Sequence, residues 1–304
     1  RDSSTSRGLG DVYKRQLYLN AEVYTNTSKY TECISACQQA IAQGYSLEDD
    51  YSSLFNADND KRTANEIIFT LPVDATHTVS WGSSTYIICG AVSNTSDKQV
   101  PEDYGVKSGW GMFRVRGEIP ALFTGEADQR YLFFTDGQTQ YLDKIDDQSN
   151  GFFVTKWTNL TDNGQTASNT ADGGVNTDYP LFRLADVYLM MAEAVVRGGT
   201  GSDRGTVLGY INELQRRAYG DDEHKIADSD LTLDFLLKER ARELYWEGHR
   251  RTDLIRYGMF TTDKYLWQWK GGEKGGTAVN SKYNIYPIPN TELTANPNLY
   301  NENY

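Results

Sequence analysis

The sequence is poor in cysteine, has no long hydrophobic run and carries no excess of positive charge. Three cysteines among 304 residues do not make a disulfide framework, and an odd number leaves at least one of them free. The net charge of −12 argues against direct binding to nucleic acid or to anionic lipid, because Lys and Arg must supply the affinity there. No apolar run approaches the ~18 residues that a membrane-spanning helix needs.

Motifs of the common enzyme classes are also missing. The sequence contains no His-Glu-x-x-His, Gly-x-Ser-x-Gly, Walker or Cys-x-x-Cys pattern, and His77, His224 and His249 have no matching partners. Cys33 and Cys37 lie one helical turn apart, but without a nearby histidine they indicate small side chains on a buried helix face rather than a metal site. The 42 acidic residues keep a glycoside hydrolase open as an alternative, since such an enzyme needs two carboxyl groups. We expect no catalysis, cofactor or metal.

Helical periodicity begins near the N-terminus. Leu17, Ala21 and Tyr24 recur at i, i+4 and i+7, and a similar series follows, so that a helix pair is predicted over 17–43 with its end at Gly44. This pattern is typical of a tetratricopeptide-like hairpin, which needs stacked neighbours to bury its faces. The first sixteen residues are polar, rich in Ser and Gly and without periodicity. We interpret 1–16 as a non-native extension and exclude it from the fold.

The periodicity fades between residues 45 and 177. Short strand-like runs such as 66–71 alternate there with Gly, Asn, Asp and Ser, which favours a loop-rich insertion over a simple connection. Loops on a rigid scaffold are where binding residues tend to lie. Helices are predicted again after this region, the first starting near Pro180 with Asp178 as its N-cap, and two more around 207–214 and 233–244.

The densest group of charges lies within 239–253. Carboxylates one helical turn apart, such as Glu239 and Glu243, could form an acid/base pair. We favour a partly buried ion network, because arginines among aromatic residues suit the packing of a scaffold. The charged members are Glu239, Arg240, Arg242, Glu243, Glu247, His249, Arg250, Arg251 and Asp253, interrupted by Leu244, Tyr245 and Trp246.

Aromatic residues make up 12% of this hydrophilic chain and are the best functional lead. A flat ring exposed beside polar groups suits the apolar face of a sugar, whose hydroxyls can bond to nearby amides and charges. Two stretches of the irregular middle, 81–86 and 104–111, have this composition. We predict glycan contacts at Trp81, Tyr86 and Trp110, with Tyr86 and Trp110 as the strongest candidates.

A second aromatic cluster, Trp267 and Trp269, precedes Gly271 and Gly272 near the C-terminus. On a strand the two tryptophans would point in opposite directions, so at most one would face a given ligand. We interpret this pair first as a loop anchor and only second as a contact site.

Three motifs in the same order resemble those of the SusD/RagB family, the glycan-binding lipoproteins on the outer membrane of Bacteroidota. Residues 236–258 are similar to the signature helix of that family, and residues 179–190 to its other long motif. Residues 286–299, with Tyr-Pro-Ile-Pro and Asn-Pro-Asn-Leu, resemble its C-terminal tail. The last residues, 301–304, depart from the Asn-Pro-Gly-Tyr-like ending that is usual in the family. Trp110 and Gly111 resemble a Trp-Gly-Gly-like turn of the family, but Met112 stands where the second Gly of that turn is common.

The resemblance implies a mainly α fold of tetratricopeptide-type helical pairs, with a long loop-rich insertion that carries a few short strands. It implies an N-terminally truncated SusD-like domain over 17–304, comprising a helix pair (17–44), a loop-rich region (45–177) and a C-terminal helical block and tail (178–304). In this family the glycan lies on an arc of aromatic rings, contributed in part by loops that correspond to the region of Trp81, Tyr86 and Trp110.

For function, the resemblance implies a non-catalytic protein that binds polysaccharide or oligosaccharide, with starch-type glucan as the first expectation. It implies delivery to a TonB-dependent SusC-like transporter, from the extracellular face of the outer membrane, with a lipid anchor as the attachment. A protein-only helical-repeat adaptor is a further alternative.

Overall fold

The computed structural model describes residues 13–63, 65–124, 127–167 and 174–301. The chain divides into two compact units, of which the first extends to Gly248 and the second begins at His249. Most of the regular structure of the first unit is helical, as the sequence predicts, and its strands are short.

The predicted N-terminal helix pair is present. Its first helix is interrupted at Asn20 and so comprises residues 13–19 (α1) and Ala21–Thr25 (α2), and its second helix is Tyr30–Ile41 (α3). Cys33 and Cys37 are buried free thiols on the face of α3 that packs against α5 (Leu184–Val196), which confirms the packing interpretation of these cysteines. Leu17 and Tyr24 are instead 53% and 62% exposed. The non-native origin of 1–16 stays a prediction, and residues 1–12 lie outside the described residues. Residues 13–16 belong to α1, with Arg15 buried, so their exclusion from the fold does not hold.

The helices α5, α6 (Arg204–Tyr219) and α7 (Leu233–Leu244) form the second half of the helical core. Helix α5 is buried from Leu184 to Val195 and packs against α3, α6 and α7. Asp203 and Thr232 cap α6 and α7, since their side chains accept hydrogen bonds from the backbone N–H groups three residues later. The predicted helices around 207–214 and 233–244 are confirmed.

The predicted helix start at Pro180 is wrong. Residues Tyr179–Arg183 form strand β4, which pairs antiparallel with β1 (Ile67–Leu71), and the helix begins at Leu184. Asp178 is not an N-cap: its carboxylate accepts hydrogen bonds from Val73 N at 2.8 Å and Thr70 Oγ1 at 3.1 Å. The apolar residues that follow Pro180 fit a strand as well as a helix, and strand pairing over long range decided between them.

The loop-rich middle region is confirmed. Besides β1, the described residues of this region form the two-residue strands β2 (Phe133–Phe134) and β3 (Phe153–Val154), which pair antiparallel, several 3-10 turns and one helix, α4 (Ser83–Gly90). The sequence does not predict α4. Buried aromatic residues hold the loops together: Phe55 packs edge-on against Trp157 at 4.9 Å between ring centroids.

The second unit contains the short helices α8 (Arg250–Arg256) and α9 (Asn290–Ala295) and a glycine-rich loop. The loop is anchored by the buried ammonium of Lys270, which donates hydrogen bonds to the carbonyl oxygens of Thr262 at 2.5 Å and Tyr265 at 2.8 Å. Trp267 and Trp269 do not lie on a strand, and Trp269 has a φ of +65°. In neither unit do the described residues form a helix long and apolar enough to cross a membrane.

Candidate functional site

The structure brings the three predicted glycan contacts together. The ring centroids of Trp81 and Trp110 are 6.0 Å apart, and those of Tyr86 and Trp110 are 6.1 Å apart. Trp81 is 65% exposed and Tyr86 40% exposed, while Trp110 is half-buried against the aromatic core of the middle region. We call Trp81, Tyr86 and Trp110 the ring platform.

Main-chain hydrogen bonds hold the ring platform in place. Tyr86 lies on α4, not on a loop, and Trp110 lies in the irregular segment 109–112, which bonds to the C-terminal end of this helix and which we call the Trp110 turn. In this turn, Trp110 N donates to Cys89 O at 2.8 Å, Gly111 N to Val92 O at 2.8 Å, and Met112 N to Gly90 O at 2.9 Å. The turn thus satisfies carbonyl groups that the end of a helix leaves without partners, and it fixes Trp110 relative to Tyr86.

A cluster of amide and hydroxyl side chains lies beside the Trp110 turn, against Gly111. Gln148 Nε2 donates to Asn94 Oδ1 at 2.7 Å, and Gln148 Oε1 accepts from Ser93 Oγ at 3.0 Å and Thr95 Oγ1 at 3.2 Å. Asn94 is exposed. Sequence reasoning missed this cluster, because Asn94 and Gln148 are common loop residues far apart in the chain and no local pattern joins them.

Rings and amides in this arrangement can hold a sugar without any ionisable group. The rings do not lie in one plane, because the ring plane of Trp110 is tilted by 50° to that of Trp81 and by 57° to that of Tyr86. Each ring offers an apolar face to the C–H groups of a sugar, and the neighbouring amides can bond to hydroxyls.

The alanine substitution at Gly109 tests how closely the Trp110 turn is fitted to α4. A Cβ atom at Gly109 would lie 2.2 Å from Ser93 O and 2.5 Å from Val92 O, so the turn must shift. We expect Gly109→Ala to lower the free energy of unfolding by about 1–3 kcal/mol, measured by urea denaturation, and to weaken polysaccharide retention by displacing Trp110.

The matched control is Gly209→Ala, in the exposed part of α6 with open space around the added methyl group. It should stabilise the protein by about 0.5–1 kcal/mol and leave retention unchanged. Parent-like retention in Gly109→Ala would show that the turn does not position the platform.

A buried ion network is the second notable cluster of the first unit, and Glu243 lies at its centre. The carboxylate of Glu243 pairs with Arg183 Nη1 at 2.5 Å, with Arg130 Nη1 at 3.0 Å and also with Arg217. Burial by itself would raise the pKa of Glu243, but the three guanidinium charges outweigh it and hold the pKa well below its ordinary value. The buried members are Arg130, Lys156, Arg183, Arg217, Glu66, Asp128, Glu239, Glu243 and Glu247.

The interpretation of 239–253 as part of a packed network is confirmed for Glu239, Glu243 and Glu247. The alternative acid/base pair of Glu239 and Glu243 is wrong, because guanidinium groups already pair with both carboxylates. Arg250 belongs to the second unit. Sequence reasoning missed the partners that other parts of the first unit contribute to the network. One of them is Lys156, whose pKa burial lowers to about 8 although Glu247 lies 2.6 Å from its Nζ.

A row of rings connects the network with the platform. Trp246, which follows the network helix α7 and has a φ of +61°, packs edge-on against Phe113 at 6.1 Å. Phe113 in turn packs edge-on against Tyr86 at 4.6 Å. Within the described ranges of the chain, no group of three His, Cys, Asp or Glu side chains could hold a metal ion.

Known proteins resemble this chain in sequence and in fold. The starch-binding protein SusD of Bacteroides thetaiotaomicron is 35% identical over 96% of this chain and 59% of its own length. The surface glycan-binding protein A of the same species, solved in complex with laminarihexaose, has a TM-score of 0.68 at 22% identity and is matched over 95% of this chain and 63% of its own. NanU of B. fragilis has a TM-score of 0.63 at 23% identity, with 96% and 62% covered.

The chain thus spans about three fifths of the length of these proteins. The two solved structures show that the predicted SusD-like fold is correct. The sequence model of the SusD family matches residues 124–304, which is more than half of the chain. This chain therefore belongs to the SusD family.

Proposed function

We propose that this chain is a non-catalytic protein that binds a polysaccharide or oligosaccharide, with starch-type α-glucan as the first candidate. The observation that carries the proposal is the convergence of the exposed rings of Trp81 and Tyr86 and the half-buried ring of Trp110, with amides beside them. The identity of 35% to a starch-binding protein supports the choice of α-glucan.

The state of the buried carboxylates supports binding without catalysis. A glycosidase needs one protonated carboxyl with a raised pKa to act as the acid. Glu239 and Glu243 have lowered pKa values, because neighbouring arginines outweigh the effect of burial. The pKa of Asp178 is raised by burial, but hydrogen bonds from Val73 N and Thr70 Oγ1 hold its carboxylate between the strands.

Membership in the SusD family supports the partner and the location in this proposal. The chain would pass its glycan to a TonB-dependent SusC-like transporter at the extracellular face of the outer membrane. Attachment would use a lipid anchor.

Affinity electrophoresis tests the binding proposal. The chain is run through gels that contain amylopectin, another neutral polysaccharide or none, and a reducing-sugar assay is run in parallel on the same polysaccharides. We expect retardation in amylopectin without release of reducing sugar. Release of sugar would indicate a hydrolase, and unretarded migration in every gel would favour a protein-only adaptor; either outcome contradicts the proposal.

A further inference from the structure

The second unit contains a cavity of about 740 Å³ whose lining is aromatic and cationic. Its rings include Phe260, Trp269 and Tyr286, and its charges are Arg251 and Lys270. None of the described residues that line the cavity is Asp or Glu, although the chain carries 42 acidic residues and a net charge of −12. A lining of this sign in an acidic protein selects for a negatively charged occupant.

Arg251 is the charged group that a ligand can reach. Its guanidinium carbon lies over two rings, 3.9 Å from the centroid of Tyr286 and 5.1 Å from that of Phe260. Nη2 donates a hydrogen bond to Tyr283 O at 2.7 Å, and among the described residues no acceptor bonds to Nε or Nη1. These N–H groups are left for a carboxylate, which arginine binds in a bidentate manner.

Lys270 does not add a second accessible charge. Its side chain is buried, and its ammonium is directed at the carbonyl oxygens of Thr262 and Tyr265 within the loop. With only Arg251 available, the cavity balances a single negative charge. A ligand with several charges, such as a nucleotide, would meet one guanidinium and the negative field of the whole chain.

The rings of the cavity favour a ligand with an apolar face next to its charge. Tyr286 is 73% exposed, and its ring stacks directly on Arg251. Trp269 is held in the left-handed region, with a φ of +65°, a conformation that bulky residues rarely adopt. Such backbone outliers cluster at ligand sites. The C–H face of a sugar ring fits this combination of rings and a guanidinium edge.

We propose that this cavity is a second binding site, which takes a sugar ring that carries one carboxylate, and that Arg251 binds the carboxylate while Trp269 and Tyr286 cover the sugar face. This site goes beyond the neutral glucan that we assign to the ring platform. It uses none of the platform residues, and it holds or fails independently of the platform.

Calorimetric titration of the full chain with methyl glucuronide and methyl glucoside, at low salt, tests the proposal. We expect the glucuronide to bind with a dissociation constant on the order of 1 mM, as suits so small a ligand. The glucoside should not bind at this site, and added salt should weaken the glucuronide. In Arg251→Gln, glucuronide affinity should fall at least about tenfold. The affinity of Arg251→Lys should lie between those of the parent and Arg251→Gln, because lysine keeps the charge but cannot form the bidentate hydrogen bonds of a guanidinium.

Two further variants separate the ligand site from folding and from the platform. Tyr286→Ala alters an exposed ring, so its melting should be parent-like while glucuronide affinity falls. Arg204→Gln, an exposed arginine of the first unit, should change nothing. Trp110→Ala should leave glucuronide binding intact, and Arg251→Gln should leave amylopectin retention intact.

Undetectable glucuronide binding, or parent affinity in both Arg251→Gln and Tyr286→Ala, would overturn the proposed site. Equal affinity for benzoate and for the glucuronide would overturn the sugar assignment.

Discussion

Replacing Glu243 by glutamine is expected to lower the free energy of unfolding by about 3–5 kcal/mol. Three arginines share this carboxylate in an interior closed to water, and the uncharged amide of glutamine would remove the negative charge and one of the two acceptor oxygens on which they converge. A loss of this size is a large part of the stability of an ordinary domain. The measurement is urea denaturation followed by circular dichroism, with the transition midpoint compared at unchanged slope.

Arg242→Gln is the matched comparison, because Arg242 pairs with Glu239 at the rim of the network, where its side chain is 14% exposed. Its loss should be clearly smaller than that of Glu243→Gln, since water solvates the rim in part. Equal losses, or a Glu243→Gln protein that unfolds like the parent, would show that the network does not stabilise the fold.

The same carboxylate gives a pH dependence with a defined sign. Its pKa in the folded state lies well below the ordinary value of 4.5 that applies to the unfolded chain. The unfolded state therefore binds the proton first as the pH falls, and stability from Glu243 is full above pH 4.5 and declines toward the folded pKa. Glu243→Gln should lose this part of the acid sensitivity, as seen in unfolding curves recorded at decreasing pH.

Trp110→Ala is expected to weaken amylopectin retention about thirtyfold, because truncating a central aromatic contact commonly costs ~2 kcal/mol or more. Trp110 is the middle ring of the platform, within 6.1 Å of both neighbours, so its loss divides the stacking surface. Tyr86→Ala should weaken retention less, because the ring is smaller. Affinity electrophoresis over a series of polysaccharide concentrations gives the dissociation constants.

Tyr24→Ala serves as the control, since it removes a ring that is 62% exposed on α2. Its retention should equal that of the parent. Thermal melts decide whether a loss in Trp110→Ala reflects binding or folding, because part of the ring packs on the core. If Trp110→Ala is retained like the parent, or if its loss of retention matches the fraction of the variant that is unfolded, Trp110 is not part of the binding site.

Local patterns predicted most of the helical core. The helices α3, α6 and α7 follow the spacing of apolar residues, because their buried faces repeat with the helical period. The same reasoning failed at Pro180, where a partner strand more than 100 residues away, β1, satisfies the backbone groups of Tyr179–Arg183. It also missed α4, an eight-residue helix with too few turns to show a period.

The residue types of the candidate site could be read from the sequence, but their assembly into the ring platform could not. Aromatic residues beside Gly and Ser pointed to Trp81, Tyr86 and Trp110, but only the bonds from the Trp110 turn to α4 bring them together. The ion network shows the same limit. Glu243 stood out in the sequence, whereas its shared partner Arg183 lies 60 residues away and looked like part of a helix.

The bonds between the Trp110 turn and α4 involve main-chain atoms alone. The frame of the platform is therefore indifferent to the side chains that it displays. The exposed ring at position 81 and the exposed amide of Asn94 can be exchanged without removing a donor or an acceptor of these bonds, whereas Trp110 and Tyr86 also pack on their neighbours. A variant at these positions therefore changes one displayed group at a time, whereas a change at Glu243 affects Arg130, Arg183 and Arg217 together.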